Sequence, residues 1–352
     1  VGKQTAKARA WLLFDRIIAD AAPVGEHSNP WHLVNGELEY RPDIETLQRL
    51  LAVPLLLRAT VRSRVPALAL DVWLAYELRR AGFNPDGTWP RGTHPRILPM
   101  PVVNLLNSLP QKERKALEQR LTKKAAIPGV TSSSASILGK NYLKQVDVIL
   151  SDWATGPEIL ISTKRMDSSY GKNAANRVEE SYGDAKNLRL RHPLAALGFV
   201  MGIRSDILTK EPDTFDWLID LVAKLGQEED AYHATCLFLI EYGDSLVVED
   251  DEDEEPEDIL TPPGVSVDAD EPDEEIEAVP LDELDTQLDQ LPTVRVVSGA
   301  PIDPRLHAGR FLASIVNRTL DGTPINLHKP ARHRRRNPVD VEKLLEMKEG
   351  PH

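Results

Sequence analysis

Between residues 145 and 241 short apolar runs alternate with long amphipathic stretches, and that alternation restricts the fold more than any other feature. Residues 145–150 (Gln-Val-Asp-Val-Ile-Leu) and 158–164 (Glu-Ile-Leu-Ile-Ser-Thr-Lys) are strand patterns. The turn Ser151-Asp-Trp-Ala-Thr-Gly-Pro157 joins them, so the pair reads as a hairpin. Ser168 and Ser169 can cap a helix over about 172–190. Residues 195–203 are a third strand, apolar throughout and therefore covered on both faces. A helix over 213–225 and a fourth strand over 235–241 follow. Strands interleaved with helices in this way define an α/β chain with a mixed central sheet flanked by helices.

The segments around this core divide the chain further. Residues 1–65 read as a helical N-terminal region. Trp11, Leu12, Phe14, Ile17 and Ile18 fall at helical spacing over 6–21, and Ile44, Leu47, Leu50 and Leu51 over 43–57. Pro23, Gly25, Asn29-Pro30 and Asn35-Gly36 mark turns between them. The core is expected over 66–246. It opens on a helix over 66–82 that Gly82 stops. Prolines hold 89–96 extended, and a helical insertion occupies about 95–140. Residues 247–291 read as a disordered acidic linker, and 292–352 as a helix over 305–320 followed by a basic tail at 328–337.

Charge is segregated. Glu249 to Asp289 carries 20 acidic residues and no Lys or Arg; without those carboxylates the net charge of −13 becomes +7. A mildly basic body with one acidic strap is compatible with nucleic acid. The single cysteine, Cys236, sits in an apolar run and reads as a small buried hydrophobe. One cysteine makes no internal disulfide, which fits a reducing cytoplasm. No apolar run reaches the ~20 residues of a membrane span, and the basic N-terminus lacks a signal-peptide pattern. A Gly-rich phosphate loop, a Gly-x-Ser-x-Gly elbow and a His-Glu-x-x-His motif are all missing from the sequence, which leaves ATPase, serine hydrolase and zinc protease readings without support.

Asp147 and Lys164 carry the chemistry. A carboxylate inside Val-Asp-Val-Ile-Leu is expensive to bury unless it is paired or binds a metal, and a lysine ends the neighbouring strand. Ser162, Leu160 and Glu158 share the Lys164 face by two-residue alternation. Phosphodiester hydrolysis uses such groups: carboxylates hold Mg²⁺, and a lysine neutralises charge developing on the phosphate. A structural salt bridge closing the hairpin is the alternative for this pair. In the following helix Asn173, Asn176, Arg177, Glu180 and Asp184 lie on one face. The face is either an ordinary solvated one with an Arg177–Glu180 pair, or one that lines the site, with Glu180 assisting a metal and Asn173, Asn176 and Arg177 touching phosphate or bases. Arg165 and Lys172 bracket a polar loop that runs into the helix N-terminus, an anion site in principle.

A helix bearing Glu77, a strand bearing Asp147, a turn, a strand ending in Ser162-Thr163-Lys164, a helix and a strand form an order that resembles the PD-(D/E)xK nuclease superfamily, with its restriction-endonuclease-like fold. The resemblance covers about 67–241 and implies an Mg²⁺-dependent endonuclease acting on DNA, with Mn²⁺ as an alternative ion, in restriction or phage defence. It makes Asp147 the first acidic position and Lys164 the catalytic lysine. Ser162 falls where Asp or Glu is usual, so Glu158 or Glu77 becomes the substitute carboxylate and metal ligand, with Glu180 beside them. The competing reading is a nuclease-like fold without catalysis that binds nucleic acid or a partner protein, the acidic segment 249–291 being the docking strap. A homodimer would suit cleavage of both strands.

Overall fold

The computed structural model describes residues 5–122, 135–247 and 279–340. Helix α1 (Ala6–Ala21) starts where the Thr5 hydroxyl accepts the Ala8 amide, satisfying a first-turn donor. Its stripe of Trp11, Leu13, Phe14 and Ile17 is buried. The Asn35-Gly36 turn, both residues at positive φ, closes a hairpin of β1 (Trp31–Val34) and β2 (Glu37–Tyr40), where the sequence showed only turns. Asp43 caps α2 (Ile44–Leu56) by accepting the Thr46 amide. Helix α3 (Val65–Ala81) is buried along almost its whole length. It ends at Gly82, whose φ of +99° suits glycine, and a Cβ there would come within 2.8 Å of the Ala331 nitrogen.

Beyond it come β3 (Thr88–Trp89), the helices α4 (Met100–Ser108) and α5 (Gln111–Thr122), and a small ribbon of β4 (Ser136–Leu138) and β5 (Leu143–Gln145). Residues 123–134 of the expected insertion lie outside the described residues. The central elements are β6 (Val148–Asp152), β7 (Gly156–Met166), α6 (Tyr170–Arg191), β8 (Ala196–Arg204), α7 (Ile207–Lys210), α8 (Pro212–Leu225) and β9 (Ala234–Glu241). After them follow α9 (Leu281–Leu288), β10 (Arg295–Val297), α10 (Ala308–Gly322), α11 (Lys329–Arg336) and β11 (Val339–Asp340).

Six strands form one mixed sheet in the order β10-β9-β8-β7-β6-β3. β7, β8 and β9 run parallel to one another, and the remaining pairings are antiparallel. Side-chain alternation divides the core in two. Val148, Ile159, Ile161, Val200 and Phe238 pack with α1, α2, α3 and α10. Ile149, Leu160, Phe199, Met201 and Leu237 pack with α6 and α8. The fold is therefore α/β, with helices on both faces of a mixed sheet. Cys236 is buried within it, and burial pushes its thiol up.

Three expectations change here. The N-terminal helices share one core with the sheet rather than forming a separate region. The acidic segment is not disordered throughout: residues 248–278 lie outside the described residues, but α9 docks on α1, with Leu284 buried and Arg16 2.8 Å from Asp285. Nor is the basic cluster a loose tail. Arg332 donates to the carbonyls of Leu327 and Thr323 and Arg334 to those of Ser28 and Arg80, while β11 pairs with β1. No helix among the described residues is long and apolar enough to cross a membrane.

Candidate active site

Asp147 does not sit within a strand. The chain leaves the β4–β5 ribbon at Gln145 and joins the large sheet at Val148, so the expected strand over 145–150 breaks at Val146-Asp147. The reason is local. Val146 gives its amide to the Ala135 carbonyl, and Asp147 Oδ2 accepts the Thr163 amide at 2.8 Å. Since Val148 faces Ile161, a continuing β6 would have set Asp147 opposite Ser162 and Val146 opposite Thr163; with Val146 drawn to Ala135, the aspartate side chain takes the Thr163 amide instead.

Lys164, next along β7, points at α6, where its Nζ lies 3.4 Å from Glu180 Oε1. The other Glu180 oxygen is 3.4 Å from Arg177. Lys144 of β5 reaches the same helix, 2.7 Å from Asp184 and 3.9 Å from Glu180. Tyr142 donates to Asp184 at 3.1 Å, and burial, reinforced by that carboxylate, pushes its phenol up to about 12. Burial also raises the Asp184 carboxyl against the pull of Lys144.

At the bottom of this cluster lie Ser162 and Tyr232, 5 % and 1 % exposed, whose hydroxyls have no hydrogen-bond partner among the described residues. The Tyr232 phenol is pushed well up, chiefly by burial, then by Asp184, with Asp147 and Glu180 adding to the rise while Ser162 opposes it. Three carboxylates therefore act on one buried phenol. Tyr142, Lys144 and Tyr232 were not singled out from the sequence. The two tyrosines and the lysine sit in short segments without a repeating pattern, and only the fold brings them to α6.

Other candidates lie elsewhere. Glu77 is fully buried and its oxygens are occupied: Arg80 lies 2.8 Å from both, Tyr40 donates to one and the Asp43 amide to the other. Its pKa is raised by burial, and Arg80 counters this. Glu77 is thus tied into the N-terminal layer. The α3 carboxylate that reaches β7 is Asp71, which accepts the Thr163 hydroxyl at 2.6 Å.

Glu158 also leaves the cluster. A β-bulge pairs Leu150 with Ile159 and Ser151 with Pro157, leaving Glu158 unmatched and turned out of simple alternation. At ~3.3 Å per residue it is roughly 20 Å along the strand from Lys164, and its Oε2 lies 2.9 Å from His328 Nε2.

Among the residues expected to touch DNA, Arg165 is buried against Asp167 and the Pro66 carbonyl, so it cannot meet a phosphate. Lys172 and Asn176 are exposed, and Asn173 and Arg177 half-buried, on the α6 side that carries Glu180. The helix N-terminus is not open to an anion as expected, because Glu211 already accepts the Gly171 amide at 2.7 Å. Ser169 stands at the N-cap with φ +50° but makes no side-chain capping bond.

Among the described residues no group of three or more His, Cys, Asp or Glu is arranged to hold a metal. Asp147 and Glu180 both act on the buried Tyr232 phenol beside the Ser162 hydroxyl, but Lys164 and Arg177 already stand at the two Glu180 oxygens. Mg²⁺ is commonly held by one or two carboxylates with waters completing its shell, so an ion here would have to take Glu180 from Lys164 and Arg177. No family model matches the chain, and no characterised protein or solved structure matches it.

Proposed function

We propose that the chain is a metal-dependent endonuclease that hydrolyses DNA on a restriction-endonuclease-like core. The observation that carries this reading is the meeting of Lys164 and Glu180 beside the Asp147–Thr163 bond, above two buried hydroxyls without partners. The element order supports it: antiparallel β3, β6 and β7, then α6, then β8 parallel to β7, with α3 packed across β7. Asp147 and Glu180 would hold Mg²⁺ or Mn²⁺, with Glu180 replacing the carboxylate missing at Ser162. The ion, when bound, supplies an activated water and stabilises charge on the phosphate.

Lys164, brought close by β7, places its ammonium against a phosphate oxygen and neutralises the charge that grows there. Ser162 and Tyr232 donate their free hydroxyl protons to water in the site. Arg177, Asn173 and Asn176 meet the DNA backbone from the outer side of α6, where phosphate contacts fix position rather than sequence. Restriction of foreign DNA by a cytoplasmic homodimer is the setting this activity suits.

The specific observation favouring a binding protein without catalysis is the close Lys144–Asp184 pair, which neutralises one acid of the cluster internally, together with the serine at 162. Plasmid cleavage with Mg²⁺ or Mn²⁺ separates the two. The intact chain should cut, and Asp147→Ala and Lys164→Ala should each slow cutting by roughly 10²–10³-fold, the scale of losing a charge-stabilising group. DNA binding without cutting under either ion, or an undiminished Asp147→Ala, would rule the nuclease reading out.

A further inference from the structure

At the opposite end of β7 from Lys164 the structure has a cavity of about 720 Å³, a size typical of small-molecule sites. Phe83, Leu150 and Leu327 supply apolar wall. Glu158 lines it at 5 % exposure, and neither of its oxygens makes a hydrogen bond among the described residues. His328 lies 2.9 Å from one of them, out of hydrogen-bond alignment, and its Nε2 is likewise unpartnered. Arg79 and Arg334 also border the space. Burial and the adjacent Arg96 lower Arg79 to about 10, and burial and Arg80 lower Arg334, so this wall is crowded with positive charge.

These groups define a ligand. A buried carboxylate with one oxygen clear and the other meeting only the His328 ring edge still has lone pairs for two N–H donors side by side. Apolar walls ask for a flat hydrophobic body, and the arginines ask for an anion. A guanidinium compound has the donor pair, but its charge would face Arg79 and Arg334. Adenine turns a ring acceptor towards the carboxylate. Guanine offers its ring N–H and amino group together without charge, and a phosphate on its ribose answers the arginines.

We infer that this cavity binds a guanine nucleotide, its base edge on Glu158 and its phosphate towards Arg79 and Arg334. The site is independent of the cleavage chemistry. Calorimetric titration of the full chain with GMP, AMP and agmatine tests it. GMP should bind, AMP at least tenfold more weakly, and agmatine not at all. Glu158→Gln, which replaces one acceptor by a donor, should weaken GMP at least tenfold while the melting temperature holds. Leu327→Trp on the half-buried lip should block GMP by filling the space, giving a second variant if the first misfolds. No GMP binding at millimolar concentration, equal binding of AMP, tighter binding of agmatine, or unaltered GMP affinity in Glu158→Gln would each overturn the assignment. A single-stranded oligonucleotide carrying one guanine identifies the source. Competition with GMP supports the assignment with the base in DNA, and lack of competition supports it with the free nucleotide.

Discussion

Ser162 stands where charge would be useful and offers only a hydroxyl. Its Oγ is buried and unpartnered among the described residues, it adjoins Tyr232, and Lys164 follows two positions later on the same strand. A carboxylate there would gain from Lys164 and Lys144 and would suffer from Glu180 and Asp184. In the proposed enzyme Glu180 carries the second acid, reaching in from α6 instead of from β7. Removing it therefore leaves a vacancy that position 162 can fill. Glu180→Gln should lower the single-turnover cleavage rate by roughly 10²-fold. Ser162→Asp added to Glu180→Gln should regain at least tenfold of that loss, with circular dichroism confirming that both variants fold. A double variant no faster than Glu180→Gln would mean that Glu180 does something other than replace the missing carboxylate.

At the scale of elements, packing across the sheet makes a prediction. Phe311 of α10 lies against β8 so closely that a Cβ on Gly198 would meet its ring at 2.7 Å. Glycine at 198 is thus a space requirement. Phe311→Ala should cost about 3–5 kcal/mol through cavity formation, and Gly198→Ala about 1–3 kcal/mol through overpacking. In the Phe311→Ala background the added methyl has room, so the Gly198→Ala cost should shrink towards zero. Urea denaturation of the four chains measures this coupling; strictly additive losses would contradict the close approach.

The same scale shows what the sequence could convey. The limits of α1, α2 and α3 follow from apolar spacing, the Asp43 cap and the Gly82 stop, because those signals are local. The hairpin of β6 and β7 and the buried β8 were legible from turn residues and apolar runs. The break before Asp147 was not, because its cause lies in Ala135 and Thr163, remote in the chain. Nor was the bulge at Glu158, since alternation continues through it in the letters. For the candidate site, Asp147, Lys164 and Glu180 could be chosen as oddities on apolar or periodic elements. Glu77 looked equivalent, and only its buried bonds to Arg80, Tyr40 and Asp43 remove it.

Across the whole molecule, two histidines report on how remote segments are joined. His27 lies where α3 and α11 come together, beside Arg79, Arg334 and Arg80, and burial followed by those cations lowers it to about 4. His233 precedes β9 and accepts the Leu197 amide; burial, then Arg318 of α10 and Arg189 of α6, lowers it to about 3. Both start from an unfolded value near 6.5. Below that pH the unfolded chain takes up protons that the folded chain refuses, so stability is greatest above 6.5 and declines as pH falls towards 4. Glu77 and Asp184 act in the opposite sense, since burial raises their carboxyls and acid favours the folded form. The histidine contribution is therefore isolated by substitution. The melting temperature should drop between pH 7.5 and 5.5, and His27→Gln with His233→Gln should flatten that drop, because neither glutamine titrates. Equal slopes in the two proteins would show that the seams between the terminal segments and the sheet are not where acid loosens the fold.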